Sequence, residues 1–310
     1  MPYQRIQYLT RATSCETWFE SFSGGKMQKQ SFGCYFKNLF LRWLTYPFAW
    51  IPKVRRMHAM AKEKTYLIVS RRSKTMLVKL LDAFEREARI VLWYWDSAMS
   101  GYPILPQKAK YKRVLVASFD RVDCEKYGFF YNGQCFYEFE HLPCVKESCI
   151  CRDALFIGNA KGRDAEILAA ERALRAAGLQ ALIRIHRSDL SGVAKEDRSC
   201  YTTQYISYEK ICRLVQESRA VLEVVVPHSA GLTFRAMEAA FFGKKLITTN
   251  RHIRKYDIYH PNNVFVLGED DLAHLGEWMD IPYAALPQEV LRKYQINEWC
   301  ERLISKAHER

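Results

Sequence analysis

The amino-acid sequence predicts an α/β fold in which two Rossmann-like domains face a cleft, with an extra helical segment at the N-terminus. Two observations lead to this fold class. The chain has 310 residues, more than one domain usually holds. From residue 65 onward, apolar runs alternate with amphipathic helical patterns, and the alternation restarts after an irregular stretch at residues 124–151. Such alternation is typical of parallel strands joined by helical crossovers.

The first α/β domain is assigned to residues 61–150. Thr65–Ser70 and Ile90–Trp95 are apolar runs of the length expected for buried strands, and Val114–Ala117 is a third, shorter run. Apolar residues recur at helical spacing over residues 76–84, between the first two strands. This half therefore begins as strand, helix, strand.

The second α/β domain is assigned to residues 151–285, and a further helix, around Glu289–Lys306, to residues 286–310. Ser207 is expected to cap the N-terminus of one of its helices. The predicted strands are Ala154–Ile157, Ala181–Ile185, Ala220–Val226 and Lys245–Thr249, and the predicted helices are Asp164–Ala177, Ser207–Ser218 and Leu232–Phe242. Ligands of open α/β sheets bind beyond the carboxyl ends of the strands, so ligand-binding residues are expected in the loops there.

Residues 1–60 do not follow this pattern. Within Phe36–Ile51, bulky apolar residues lie on roughly one helical face, and basic residues follow at Lys53, Arg55 and Arg56. One interpretation is a helix that lies on an anionic membrane surface, held by aromatic and basic anchors. The other is a helix packed on the protein's own core. Both interpretations stay open.

The composition indicates which partners and which compartment to expect for the protein. Lys and Arg outnumber Asp and Glu by 47 to 34, which favours anionic partners such as phosphorylated ligands, nucleic acid or a membrane face. No zinc-finger, RRM or helix-turn-helix signature is present, so no specific nucleic-acid partner is expected. No apolar run is long enough to span a bilayer, and the first residues lack a signal core. We therefore expect a cytoplasmic protein with reduced thiols.

The loop after the strand Ala154–Ile157 combines glycine with two cations. Gly158 allows the backbone to approach a ligand closely, and Lys161 and Arg163 are suited to a diphosphate. The helix that follows offers free N–H groups and a positive dipole end. The spacing matches neither a dinucleotide-binding motif nor a P-loop. An ordinary strand-to-helix turn with solvated charges is the alternative.

A second loop of this kind follows the strand Ala220–Val226 and opens a helix. Gly231 and the amides after it could hold a phosphate, and Thr233 adds a hydroxyl. Glu238 lies in an otherwise apolar helix, so its carboxylate needs a partner. That partner is either Arg235, three residues earlier, or the diol of a ribose.

These segments resemble the donor half of GT-B glycosyltransferases. The similarity lies in the order F-I-G-N-A-K-G-R-D, P-H-S-A-G-L-T-F-R-A-M-E-A and G-K-K-L-I-T-T, each at a strand or helix boundary. It extends to bacterial proteins of lipopolysaccharide or capsular polysaccharide biosynthesis through the segments W-Y-W, S-F-D and G-L-T-x-R-x-x-E. The similar region covers residues 65–275.

The resemblance implies a role for each matching residue. Gly158, Lys161 and Arg163 would hold the donor diphosphate and offset the charge of the leaving group. The amides of Gly231, Leu232 and Thr233 would contact the same group, with Arg235 beside them, and Glu238 would bind the ribose. The C-terminal helix would pack toward the N-terminal domain. Retaining families carry a second glutamate where this chain has Ala230, so retention and inversion both stay open.

The chemistry expected from the resemblance needs no metal and no cofactor. No D-x-D element is present, and GT-B enzymes stabilise the leaving nucleotide with cations and helix dipoles. An inverting enzyme also needs a general base. Asp96 and Asp120 follow strands of the first half and are weak candidates, with turn or capping roles as the alternative. His186 and His228 follow strands of the second half. No base is assigned.

The sequence therefore predicts a metal-independent glycosyltransferase of cell-surface polysaccharide biosynthesis, lipopolysaccharide or capsule. Its expected partners are a nucleotide-sugar donor and a glycan or lipid-linked acceptor. A peripheral contact with the anionic cytoplasmic membrane face is a further expectation. The alternative is a non-catalytic, nucleotide-binding Rossmann-like protein that serves another transferase.

Overall fold

The structure is a computed structural model of the whole chain. It describes residues 89–94, 114–136, 150–227 and 229–309, the backbone of three further strands, and single positions between residues 44 and 55. The predicted helix at residues 76–84, Asp96, His228 and most of Phe36–Ile51 lie outside the described residues. Labels for strands and helices below run over the described elements in chain order.

The chain divides into two compact units. Unit 1 consists of Met1–Tyr137 together with Lys293–Arg310, and unit 2 of Glu138–Arg292. The C-terminal residues thus belong to the same unit as the N-terminal half. The division falls after residue 137, within the irregular stretch at residues 124–151 and earlier than the boundary after residue 150 that the sequence analysis set.

Unit 1 contains a parallel sheet with the strand order β2-β1-β3-β4-β5-β6. Its strands are β1 (Ile6–Thr10), β2 (Gln28–Ser31), β3 (Thr65–Ser70), β4 (Arg89–Tyr94), β5 (Val114–Ser118) and β6 (Phe130–Tyr131), and the helix α1 (Arg121–Tyr127) connects the last two. The predicted strands β3, β4 and β5 are confirmed. The prediction of a helical segment over residues 1–60 is wrong at β1 and β2, which pair in parallel and extend this sheet. β2 reads Gln-Lys-Gln-Ser and lies at the sheet edge, where a strand needs no apolar pattern.

The last helix of the chain packs onto the sheet of unit 1. The predicted single helix at Glu289–Lys306 is divided into α6 (Gln288–Tyr294) and α7 (Ile296–His308). The break occurs because Gln295 is extended and forms a β-bridge with Phe136. On α7, the ring of Trp299 meets that of Trp93 edge-on, with centroids 5.0 Å apart.

Unit 2 contains a second parallel sheet, with the strand order β12-β11-β10-β7-β8-β9. Its strands are β7 (Arg152–Asn159), β8 (Ala181–His186), β9 (Tyr201–Thr202), β10 (Ser218–Glu223), β11 (Lys245–Thr248) and β12 (Val264–Val266). Its helices are α2 (Asp164–Ala176), α3 (Tyr208–Gln216), α4 (Phe234–Phe241) and α5 (Leu275–Asp280). Apolar side chains of β7, β10 and α2, including Phe156, Leu222 and Ile167, form its core.

The local predictions for unit 2 are accurate except near the loops of interest. Ser207 caps α3 as predicted, by accepting from Lys210 N at 3.3 Å. Strand β10 ends at Glu223, three residues early, and Val225 N donates to the Thr249 side chain instead of a neighbouring strand. Helix α4 begins at Phe234, two residues later than the predicted start at Leu232, because the hydroxyl of Thr233 caps the helix. Among the described residues, no helix is both long and apolar enough to cross a bilayer.

Candidate functional site

The strand order of unit 2 creates a crevice at one edge of its sheet. From β7 the chain moves outward to β8 and β9, then returns to β10 on the other side and continues to β11 and β12. β7 and β10 are adjacent, so the connections that leave them diverge. Ligands of open α/β sheets bind at such a switch point, beyond the carboxyl ends of the strands. The two loops singled out in the sequence both lie there.

The connection after β7 is a tight turn that leads into α2. The prediction that Gly158 lies in this loop is wrong. Strand β7 continues through Gly158, which pairs with Ile185 of β8. Lys161 is exposed at the turn, and its backbone φ of 50° is one that residues other than glycine rarely adopt. Gly162 follows with a φ of 82°. The turn thus presents Lys161 at the start of α2.

Arg163 faces the ends of the two central strands. Its Nε donates to Ala160 O at 2.7 Å and its Nη2 to Asn159 O at 2.9 Å, both after or at the end of β7. Its Nη1 donates to Val224 O, directly after β10. Burial lowers the pKa of the guanidinium, and the nearby Glu223 carboxylate acts in the opposite direction. Arg163 therefore ties the two diverging connections together, and donor binding by this side chain stays a prediction.

Glu223 is the group that sequence analysis missed. It is the last residue of β10, only 2% exposed, and each carboxylate oxygen accepts a threonine hydroxyl, Oε1 from Thr233 and Oε2 from Thr248. Burial raises its pKa, whereas the two hydroxyls and the charges of Arg163 and Arg235 lower it. The available signal was a carboxylate inside the apolar run A-V-L-E-V-V-V. A buried acid at a strand end requires partners from elsewhere in the fold.

The segment before α4 is fixed by side chains that follow β11. Tyr256 Oη donates to Ala230 O at 2.8 Å, and Asn250 Nδ2 donates to Gly231 O at 3.1 Å. Leu232 is buried, and the Thr233 hydroxyl accepts from Arg235 N at 3.0 Å. Gly231, Leu232 and Thr233 therefore precede the helix, and the first helical amides belong to the residues from Phe234 onward.

Arg235 and Glu238 form the local salt bridge that the sequence left open. Glu238 is fully buried, and its Oε2 accepts from Arg235 Nη1. Arg235 Nη2 also donates to Ile157 O at 2.7 Å, so it joins α4 to β7. Burial raises the pKa of Glu238, against the lowering effects of Arg235 and of the Tyr208 hydroxyl. A ribose contact by Glu238 stays a prediction, and it would need this buried pair to open.

Of the candidates for a general base that the structure describes, His186 lies at this edge of the sheet and Asp120 belongs to unit 1. Asp120 is buried in unit 1 and caps α1, where its Oδ1 accepts from Val122 N at 2.9 Å, the capping role given as its alternative. His186 lies at the end of β8 with its Nδ1 3.2 Å from Asn159 Oδ1. Among the described residues, no group of three or more His, Cys, Asp or Glu side chains could hold a metal ion.

The whole-chain comparisons give a fold and no sequence family. No family model matches the chain, and no curated protein matches it by sequence. A glycosyltransferase from Rickettsia africae superposes with a TM-score of 0.55 at 10% identity, over 98% of this chain and 97% of that one. The lipopolysaccharide outer core galactosyltransferase WaaB gives 0.52 at 10% identity, over 98% of both chains. AviGT4, a glycosyltransferase of avilamycin A biosynthesis, gives 0.51 at 13% identity, over 76% and 77%.

The chain has a glycosyltransferase fold. The resemblance seen in the sequence to GT-B glycosyltransferases is thereby confirmed at the level of fold. Identities of 10–13% carry no information about substrate. Assignment to lipopolysaccharide or capsule biosynthesis stays a prediction.

Proposed function

We propose that the chain is a glycosyltransferase that moves a sugar from a nucleotide-sugar donor to a glycan or lipid-linked acceptor in cell-surface polysaccharide biosynthesis. The observation that carries the proposal is the meeting of two cation-bearing connections at the switch point of unit 2. Arg163 after β7 and Arg235 on α4 both bind main-chain carbonyls at the ends of the central strands. The fold shared with known glycosyltransferases supports the same class of reaction.

The donor diphosphate is proposed to lie at the crevice between the β7 and β10 connections. Lys161 and the N-terminal amides of α2 and α4 would contact its oxygens, and Arg163 and Arg235 would add positive potential behind them. As the bond from the sugar to the diphosphate breaks, negative charge grows on the leaving nucleotide. Fixed cations and helix dipoles stabilise that charge without reorganisation, which is the metal-independent catalysis that we propose.

A screen by thermal shift tests the donor site directly. A ligand that binds the folded state raises its stability by mass action, so one of the UDP-, GDP-, dTDP- or CMP-sugars should raise the melting temperature. A radiolabelled sugar from that donor should then appear on an acceptor or as free sugar. EDTA should leave the turnover unchanged. Binding without turnover would support the non-catalytic partner protein, and no binding by any donor would refute the proposed function.

A peripheral contact with the cytoplasmic membrane face is part of the same proposal. Trp50 is 78% exposed and Leu44 53% exposed, and Arg55 is also exposed. An exposed tryptophan next to basic residues suits the interface of an anionic bilayer. The chain should bind phosphatidylserine vesicles, and binding should weaken with salt and in the Trp50→Ser variant. Equal binding of both proteins would count against this surface as the anchor.

A further inference from the structure

We infer that Glu223 is a positioning residue that holds the two connections of the switch point in one geometry. The inference rests on the proposed donor site, whose geometry it explains. Glu223 ends β10, between the turn that follows β7 and the segment that precedes α4. Glu223 is only 2% exposed, so its side chain cannot contact solvent or a bound substrate directly.

The hydrogen bonds of the Glu223 side chain reach the N-terminus of α4 and the end of β11. Its carboxylate accepts the Thr233 hydroxyl, which caps α4, and the Thr248 hydroxyl at the end of β11. The Thr248 hydroxyl in turn accepts from Asn250 N at 2.9 Å, and Asn250 holds the carbonyl of Gly231. One carboxylate therefore fixes the segment before α4 from two directions.

The third direction is electrostatic and leads to β7. The positive charges of Arg163 and Arg235 both favour the ionised form of Glu223. The same two guanidinium groups bind carbonyls of β7 and of the residues around it, at Ile157 and Asn159. Hydrogen bonds link Glu223 to both arginines through its neighbours. Arg163 Nη1 donates to the carbonyl of Val224, the residue after Glu223. Arg235 N donates to the Thr233 hydroxyl, which itself donates to Glu223. Without Glu223, both connections lose their common anchor.

The variant Glu223→Gln keeps the size of the side chain but removes its charge. Its amide oxygen can still accept one threonine hydroxyl, whereas its amide nitrogen cannot accept the other. Hydrogen exchange of the free protein, followed by mass spectrometry, should become faster by about tenfold or more in residues 159–163 and 229–233 together. Glu223→Asp keeps the charge with a shorter reach and should give a smaller change in the same two segments.

Lys245→Met is the matched control. Lys245 is also buried in this sheet, but at the amino end of β11, the far edge from Glu223. This variant should leave exchange at residues 159–163 and 229–233 as in the unmodified protein. Titration calorimetry with UDP and GDP should show weaker nucleotide binding for Glu223→Gln, by about tenfold, and unchanged binding for the control.

The outcomes separate the two proposals. If neither nucleotide binds to the unmodified protein and the sugar-nucleotide screen is also negative, the proposed function fails, while the exchange data still decide whether Glu223 positions the two connections. If Glu223→Gln loses stability but exchange in the two segments is unchanged, Glu223 only stabilises the core and the inference is overturned. Faster exchange in one segment alone would also overturn it, because the inference requires both to depend on one carboxylate.

Discussion

The two edges of the sheet in unit 2 bury charges of opposite sign. At the amino edge three buried or half-buried cations bind carbonyls at the ends of helices. Lys245 Nζ donates to Trp278 O at 2.7 Å, Arg219 Nη2 to Met279 O at 2.7 Å, and Arg152 Nη1 to Leu214 O at 3.2 Å. At the carboxyl edge the fully buried groups are carboxylates, Glu223 and Glu238.

This difference follows from the direction of the helices. Each helix of a parallel α/β unit runs opposite to the strands, so helix C-termini collect at the amino edge and N-termini at the carboxyl edge. Cations are favoured at the first and anions at the second. The amino-edge cations fasten helix ends to the sheet, whereas the carboxyl-edge carboxylates hold arginines that cross between loops. We therefore expect substitutions at the amino edge to change stability alone, and those at the carboxyl edge to change ligand binding as well.

The largest effect is expected when the buried pair of α4 is broken. Arg235→Ala leaves the Glu238 carboxylate buried without its cation and removes the contact with Ile157, so the free energy of unfolding should fall by about 3–5 kcal/mol. Glu238→Gln keeps an acceptor for Arg235 and should cost about 2 kcal/mol. Urea unfolding followed by circular dichroism measures both. A loss below about 0.5 kcal/mol in each would mean that the pair is open to water in solution.

The amino edge should show its own signature in the pH dependence of stability. Burial lowers the pKa of Lys245 from 10.5 to about 8. Between these values the unfolded chain binds more protons than the folded one, so stability rises with pH from about 8 to 10.5, by up to about 3 kcal/mol. Lys245→Met should lack this rise. Parallel curves for the two proteins would show that the carbonyl contacts of the Lys245 ammonium offset its loss of hydration.

The sequence predicted β3, β4 and β5 of unit 1 and β7, β8, β10 and β11 of unit 2. It missed β1 and β2, and it misjudged the carboxyl edge of unit 2. Strands such as Thr65–Ser70 and the cap at Ser207 depend on local pattern, which a sequence displays directly. Glu223 was missed because its partners Thr233 and Thr248 come from other elements, and their convergence depends on the strand order. Donor binding by Arg163 stays a prediction, and the local pattern gave no sign that its side chain would bind carbonyls of its own loop.

Substitution of Arg163 should change both the stability of the protein and its binding of the donor. Arg163→Ala removes three contacts to carbonyls of the β7 and β10 connections and a cation from the proposed donor site. We expect donor affinity to fall by about ten- to a hundredfold, which corresponds to about 1.5–3 kcal/mol. Arg163→Lys keeps the positive charge but lacks the planar guanidinium with its several N–H donors, so it should recover only part of the lost affinity. Calorimetry with the donor found in the screen measures this, and full recovery by lysine would show that charge alone matters.

The smallest effect is expected for substitution of Lys161, which should weaken donor binding without changing stability. Its side chain is exposed, so Lys161→Gln should leave the free energy of unfolding within about 0.5 kcal/mol. If Lys161 contacts the donor diphosphate, the same variant should weaken donor binding by about tenfold, and less so as salt rises, because screening already reduces the contribution of an exposed charge. Arg175→Gln is the matched control, since Arg175 is an exposed cation at the opposite end of the same helix, α2, paired with Glu171. It should change neither stability nor binding by more than about 0.5 kcal/mol. Equal affinities for the two variants would remove Lys161 from the donor site and leave the half-buried Arg163 and Arg235 as the only cations proposed there.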